Sequence, residues 1–483
     1  AAFLYRYQGR PSFTPPSSSP FSDMRTSSKF YKEVTWLRST RITTGYADGT
    51  FRPKGSVTRE ATAAFLYRLA GRPDVNVPSI IPKSFTVSGA GFGHGVGMSQ
   101  YGAQGMAVEG YGAGSILEHY FTGTQVSTVN ADRDVRVEIF GSGSDAHNAV
   151  DIIARGDWRM RFYTSPTAYT QWTGTSGERL KVTRTGNSVR VTRADGTSAV
   201  ATRDVVFHWE NTQYYNASST TNATVELYRA GTNTRATHGT YRHGRIFISV
   251  PSTTTPRLIV SNELKLNTEY LYGIAEVPSS WHLNTLQAQA IVARGYALKN
   301  MGSLKATCNC HLYDDTRSQH FTGWNKENEG ASAQWGARWV DAVNRTTSSN
   351  ATQGKVLTHN GTIATTYYFS STGGRTENSE HIWSATVPYL KAVDDRWSLE
   401  SRNPNRAWTR TITQAQARTM FGLSDVVSIT VAARTSSSSQ AAASRVTARS
   451  STGQTASING PETIRSRVVG GQSPWIWSFT ANY

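Results

Sequence analysis

Glu276 stands two residues before Pro278 in the stretch "NTEYLYGIAEVPSSW", and Arg294 follows in "LQAQAIVARGYALKN". A carboxyl at a proline bend can give and take a proton. A guanidinium on the buried stripe of a following helix needs a partner, and Glu276 is the candidate. Earlier, "GAGFGHGVGMSQYGAQGMA" sets His94, Ser99, Gln100 and Tyr101 on a glycine-rich backbone. This is not a dinucleotide fingerprint, because Met98 stands where the third glycine belongs after Gly93 and Gly95, and no G-K-[ST] follows. Zinc would need several ligands, and His119 lies at no recognised pair spacing from His94. What remains is a tight backbone with exposed amides and mixed donors and acceptors. That suits the hydroxyls of a saccharide, or else a buried histidine satisfied by its neighbours. Ser370 and Ser371 in "FSSTGGRTE" lie in no G-x-S-x-G elbow. Cys308 and Cys310 allow a C-x-C disulfide, or zinc together with His311 and His320.

These groups need elements to hold them. Asn267 or Thr268 is expected to cap a short helix ending near Glu276, since Val277 precedes a proline and leaves helical space. A second helix is expected from about Leu283 to Lys299, with Leu286, Ala290, Ala293 and Ala297 as its buried stripe. The glycine-rich block runs on as helix, turn, helix. Residues 134–262 read as strands, with a hairpin at Gly186-Asn187 and with Trp158, Trp172, Trp209, Tyr214 and Tyr215 mainly core.

An internal repeat opens the chain. "AAFLYRYQGRP" at 1–11 recurs as "AAFLYRLAGRP" at 63–73, an offset of 62. The second copy reads as helix, loop, helix. Phe30, Val34 and Leu37 share one face, Asp48-Gly49 makes the turn of "GYADGTFRP", and Thr58 caps a helix with the stripe Ala61, Phe65, Leu66 and Leu69. The expected organisation is a remnant of a preceding repeat over 1–19, a repeat over 20–72, a linker over 73–83 and a large domain over 84–483. The chain is expected to lack part of a preceding copy.

"GYADGTFRP" and "VTREATA" resemble an S-layer homology repeat. That resemblance implies binding of an anionic secondary polysaccharide of Gram-positive walls, with Arg59 as the contact. The blocks around Glu276 and Arg294, "YDDTRSQHFTGWNKE", "TTYYFSSTGGRTE" and "GHGVGMSQYGAQGMA" together resemble the stage II sporulation protein D and amidase-enhancer family, in its actinobacterial arrangement. There the Gly-His block precedes the glutamate. The resemblance implies a peptidoglycan-acting domain with Glu276 and Arg294 catalytic. His94, Ser99, Gln100, Tyr101, Gln289, Gln319, Ser370 and Ser371 would bind substrate, with zinc possible near the cysteines. With it, the glycine-rich stretch is read as a glycan groove. Gln287 stands where the family often has Lys, and Val277 where it often has Met.

Composition agrees with such a setting. The formal charge is +17, mostly arginine, yet only 17% of residues are charged. A basic surface seeks polyanions. No helix-turn-helix, basic helix or zinc-finger spacing points to nucleic acid, and no apolar run is long enough to span a bilayer. The expected fold class is α+β and multidomain: a small all-α region, then a large mixed α+β domain with a strand-rich insertion. The expected location is extracellular, at the wall or surface. Ordinary glycosidases use two carboxylates. A lytic transglycosylase needs one, which fits the single carboxylate of the family block and would release 1,6-anhydro products with no cofactor. The rivals are a non-catalytic wall-binding or amidase-enhancing module and a self-assembling surface-layer or filament protein.

Overall fold

The computed structural model describes residues 1–73, 80–141, 148–251, 253 and 256–483, so positions 74–79 of the expected linker lie outside the described residues. The chain forms two compact units, Ala1–Ser79 and Ile80–Tyr483. The fold is multidomain α+β.

In the first unit, helices Ala2–Tyr7, Tyr31–Ser39 and Arg59–Leu69 enclose a small core of Leu4, Tyr5, Trp36, Leu37 and Ile42. Thr58 caps the third helix, accepting from the Ala61 amide at 3.2 Å. The 62-residue offset is structural as well as textual. Gly9 and Gly71 have φ of 74° and 81°, and Arg10 and Arg72 have 55° and 56°. The amides of Arg10 and Arg72 donate to the carbonyls of Tyr5 and Tyr67. Asp23 accepts from the amides of Phe51 and Arg52, tying "PFSDM" to the "GYADGTFRP" loop. Phe30 departs from the expected face. It precedes the helix in a left-handed conformation and is exposed, because the helix starts one residue later. Leu66 is likewise exposed.

In the second unit, two sheets face each other. One has seven strands in the order 312–313, 134–140, 259–265, 245–249, 205–209, 158–163 and 169–174. The other has five, in the order 198–201, 188–192, 179–185, 149–154 and 225–229. Alternating residues from both (Val150, Ile152, Val182, Val191 against Met160, Val205, Phe207, Ile246) make one core, as expected of antiparallel sheets with one buried face. The expected hairpin is present, with Thr185 paired to Ser188 around Gly186-Asn187. Trp158 and Trp209 are core.

Helix Leu283–Asn300 is the hub. Leu286, Ala290, Ala293 and Ala297 join the sandwich core, and Ala288, Ile291 and Val292 join a second core. That second core holds helices Gln100–Val108 and Ala113–Tyr120 of the glycine-rich block. Small residues on both faces let two layers approach one helix closely. A third core joins strand Ser84–Gly89, which lies between Trp408–Thr413 and Ile476–Asn482, to the sheet Ser428–Arg434, Ala443–Arg449, Thr455–Asn459. This C-terminal module was not anticipated: the central strand of one of its sheets comes from more than 300 residues upstream. Among the described residues no helix is long and apolar enough to cross a membrane.

Candidate functional site

Glu276 does not end a helix. Leu266–Tyr270 is a π turn and Leu271–Gly273 a 3-10 turn; the chain then extends, and Ile274 pairs with Phe321. The Ala275 amide donates to the His320 carbonyl at 2.8 Å, and the His320 amide returns to Glu276 Oε1 at 2.7 Å. Tyr368 also donates to Oε1, at 3.1 Å. Behind it Tyr270 donates to Gln319 Oε1 at 2.8 Å, and Gln319 Nε2 donates to Tyr368 at 2.9 Å. Burial pushes the Glu276 carboxyl above the usual carboxylate range, against the pull of the His320 amide and the Tyr368 hydroxyl.

The carboxyl lines a groove of about 350 Å³ with Phe92, Gln100, Tyr101, Trp281, Ser370 and Asn405. Tyr101 and Trp281 meet edge to face at 4.9 Å. Both are carried by pinned backbone. The Tyr101 amide donates to the Ser370 carbonyl, and Arg338 donates to the carbonyls of Ser279 and Trp281. Buried Lys326 donates to the Val277 carbonyl and to Glu329, which also accepts from Ser279. The proline loop is thus clamped from below.

The glycine-rich block forms the facing wall. Gly97, at φ 84°, lies where a Cβ would come within 2.2 Å of the Tyr367 carbonyl, so only glycine lets Met98-Ser99 pair with Tyr368-Phe369. Ser99 caps helix Gln100–Val108 through the Gly102 amide and meets Ser398 Oγ at 2.8 Å. Ser398, Thr372 and Tyr120 all donate to the buried Asp395 at 2.6 Å. This network joins the "GHGVGMSQ" and "SSTGG" blocks.

The expected site residues therefore divide. Glu276, Gln100, Tyr101 and Ser370 meet in the groove. Ser99, Gln289, Gln319 and Ser371 are fully buried behind it and position others. Gln289 Oε1 accepts from Gln100 Nε2 at 3.4 Å, and the same Nε2 donates to the Glu276 carbonyl. His94 is outside the groove lining. Its Nδ1 accepts from the Val96 amide, its ring packs on Trp383, Phe369 and Tyr367, and desolvation, with Arg465 adding to it, pushes it down to about 4.

Arg294 requires the plainest correction. It is fully buried, but its partners are Asn267 Oδ1 at 2.8 Å, Lys355 O at 2.9 Å, Thr347 Oγ1 at 2.7 Å and Thr346 Oγ1, with no carboxylate. Gly354 lies flat on the guanidinium, where a Cβ would fall 2.4 Å from Nε. Burial pushes the group down to about 9. Asn267, expected as a helix cap, serves as its acceptor. Cys308 and Cys310 form a disulfide. The alternative zinc set does not assemble among the described residues: Glu138 is the side chain beside the sulfurs, His311 Nδ1 accepts from the Arg136 amide, and His320 serves Glu276 with its backbone. Phe92, Tyr368, Asn405 and Lys326 were missed. Tyr368 lay inside the quoted "TTYYFSSTGG", where its hydroxyl beside the serines was the available signal. Arg59 is exposed in the first turn of its helix.

Residues 254–359 match the family described as Stage II sporulation protein, and residues 20–63 match the S-layer homology domain. The chain is 33% identical over 181 residues to Stage II sporulation protein D of Bacillus subtilis, covering 36% of this chain and 51% of that one. It is 34% identical over 144 residues to the Amidase enhancer of the same organism, covering 30% of this chain and 17% of that one. An uncharacterized protein of Brachyspira hyodysenteriae is 30% identical over 142 residues, 28% of this chain and 33% of its own. The chain thus spans about half the length of the sporulation relatives it matches, and less of the others. The S-layer homology domain indicates association with the cell surface or wall. The stretch holding Glu276, Gln289, Arg294 and Gln319 thus lies within the match to the Stage II sporulation protein family, and the same chain carries a match to the S-layer homology domain.

Proposed function

We propose that this protein is a lytic transglycosylase that cuts peptidoglycan glycan strands to 1,6-anhydro products, and that its S-layer homology domain tethers it to an anionic wall polysaccharide through a surface that includes Arg59. The observation that carries the reading is a lone carboxyl, raised by burial, in a groove walled by aromatic rings and neutral donors and acceptors. No second carboxylate is among the residues that line it.

Protonated Glu276 gives its proton to the glycosidic oxygen as the C1–O bond breaks. The carboxylate then takes the proton from the sugar's own 6-hydroxyl as that oxygen bonds to C1, which restores the acid without water. Tyr101, Trp281 and Phe92 offer faces and edges to sugar rings, and Gln100, Ser370 and Asn405 offer hydrogen bonds to hydroxyls. The glycan contacts are thus assigned to these residues, not to His94. Neither zinc nor any other cofactor enters this scheme. A relative named Amidase enhancer, a name for an assisting role, is the ground for one second reading, in which the groove binds glycan without turnover. Mass spectrometry of peptide-free strands after incubation separates the two. Anhydro-muramic ends that accumulate with time support cleavage, and bound but intact strands support binding alone.

A further inference from the structure

We propose that the C-terminal module carries a second glycan site, a groove walled by Arg410 and Arg467 that takes a carboxylate-bearing sugar segment. The groove measures about 520 Å³, larger than the one at Glu276, and lies elsewhere on the unit. Strand Trp408–Thr413 supplies Arg410 and Ile412, helix Gln414–Phe421 supplies Thr419 and Met420, and the end of helix Pro461–Arg467 supplies Arg467 and Val468. Ile412 and Val468 are buried, and Met420 is partly so, which makes the floor apolar.

The two cations are held ready. Arg410 Nη1 donates to the Val469 carbonyl at 2.7 Å, and Arg467 Nη2 to the Met420 carbonyl at 3.3 Å. Gly470, at φ 62°, leaves room for the Arg410 guanidinium, since a Cβ there would stand 1.9 Å from Nη1. One carbonyl tethers each group, and a guanidinium has five N–H donors. Among the described residues neither makes an ion pair, whereas nearby Arg465 is matched to Glu462 at 2.6 Å. From 408 to 483 the chain has seven arginines and no lysine against two acidic residues, a formal charge of +5.

Two guanidinium forks suit carboxylates in pairs, and an apolar floor suits the C–H face of a sugar ring. Nucleic acid is disfavoured, because no aromatic stacking platform lines the groove. The groove also has no carboxylate of its own, so it is assigned binding and no chemistry. This inference does not rest on the role given to Glu276.

The test uses the full chain with a fluorescent oligogalacturonate, its neutral methyl ester and polyphosphate as probes. The acid should bind and the ester should not. Arg410→Gln with Arg467→Gln should weaken binding at least about tenfold. Arg445→Gln, an exposed arginine on strand Ala443–Arg449 of the same module, should leave it unchanged. In the unaltered chain, Arg410 and Arg467 should be the arginines that the bound oligomer protects from phenylglyoxal. That footprint decides the matter alone if the double variant does not fold. Wild-type affinity in a folded double variant, an equal loss with Arg445→Gln, tighter binding of polyphosphate, or equal labelling with and without the oligomer would each overturn the proposal.

Discussion

Both hydrogen bonds to the Glu276 carboxyl, from the His320 amide and the Tyr368 hydroxyl, reach Oε1, and none reaches Oε2 among the described residues. In the proposed scheme Oε2 is therefore the atom that carries the transferable proton. Because burial raises this carboxyl, the acid form persists above the usual value of about 4.3. Activity that needs the acid is present below the raised value and lost as pH rises through it. Tyr368→Phe removes a donor that favours the carboxylate, so the alkaline limb of a pH–rate profile should move to higher pH. A limb that stays in place would remove Tyr368 from the tuning of this group. Asp314 offers a separate check of the same physics. Burial, with Asp315 and Glu138 adding to it, pushes it up to about 7. Between about pH 4 and pH 7 the folded chain holds a proton that the unfolded chain has released, so its contribution to stability falls as pH rises. Asp314→Asn should raise the melting temperature at pH 8 and change it little at pH 4. Equal effects at both values would contradict this.

At the scale of elements, helix Leu283–Asn300 was legible because a helical stripe of Leu and Ala repeats over five turns. The Gly186-Asn187 hairpin was legible because a two-residue turn between alternating runs has few other solutions. The partners of Arg294 were not. Its acceptors at Thr346, Thr347 and Lys355 lie 52, 53 and 61 residues away in sequence, in the turn after helix Gln334–Asn344 and in strand Gln353–His359. A pairing with Glu276 was inferred from nearness along the chain, and the fold chose neutral oxygens instead. The helix is thereby stapled to that turn and that strand. Arg294→Met should strand several buried acceptors and cost on the order of 3 kcal/mol in urea unfolding, since each unsatisfied group costs about 1–3 kcal/mol. An equally stable but inactive Arg294→Met would return this residue to the chemistry.

Across the whole molecule, the blocks at 89–106, 270–299, 313–327 and 367–377 stood out in the sequence, yet only the fold shows which faces meet. Phe92 sits within the glycine-rich block yet was passed over for its polar neighbours, and Asn405, more than 300 residues later, lies in no block that stood out. His94 stood out most and lies outside that lining, since its tight glycine surroundings serve an aromatic box as well as they would serve a ligand. The first unit makes a prediction of its own. With an S-layer homology match over 20–63 and a chain charge of +17, removal of residues 1–79 should weaken retention on purified wall sacculi at physiological salt. Equal retention by both forms would contradict the tethering role.

The central claim rests on one proton carrier, and the most direct measurement removes it. Glu276→Gln keeps the shape, and the amide oxygen can still accept from His320 and Tyr368. Folding should therefore survive, shown by an unchanged or raised melting temperature at neutral pH. Release of 1,6-anhydro products from the same peptide-free strands should fall by roughly 10²–10⁴-fold or more, the usual share of general acid–base catalysis. A folded Glu276→Gln protein that turns over strands at the wild-type rate would contradict the account.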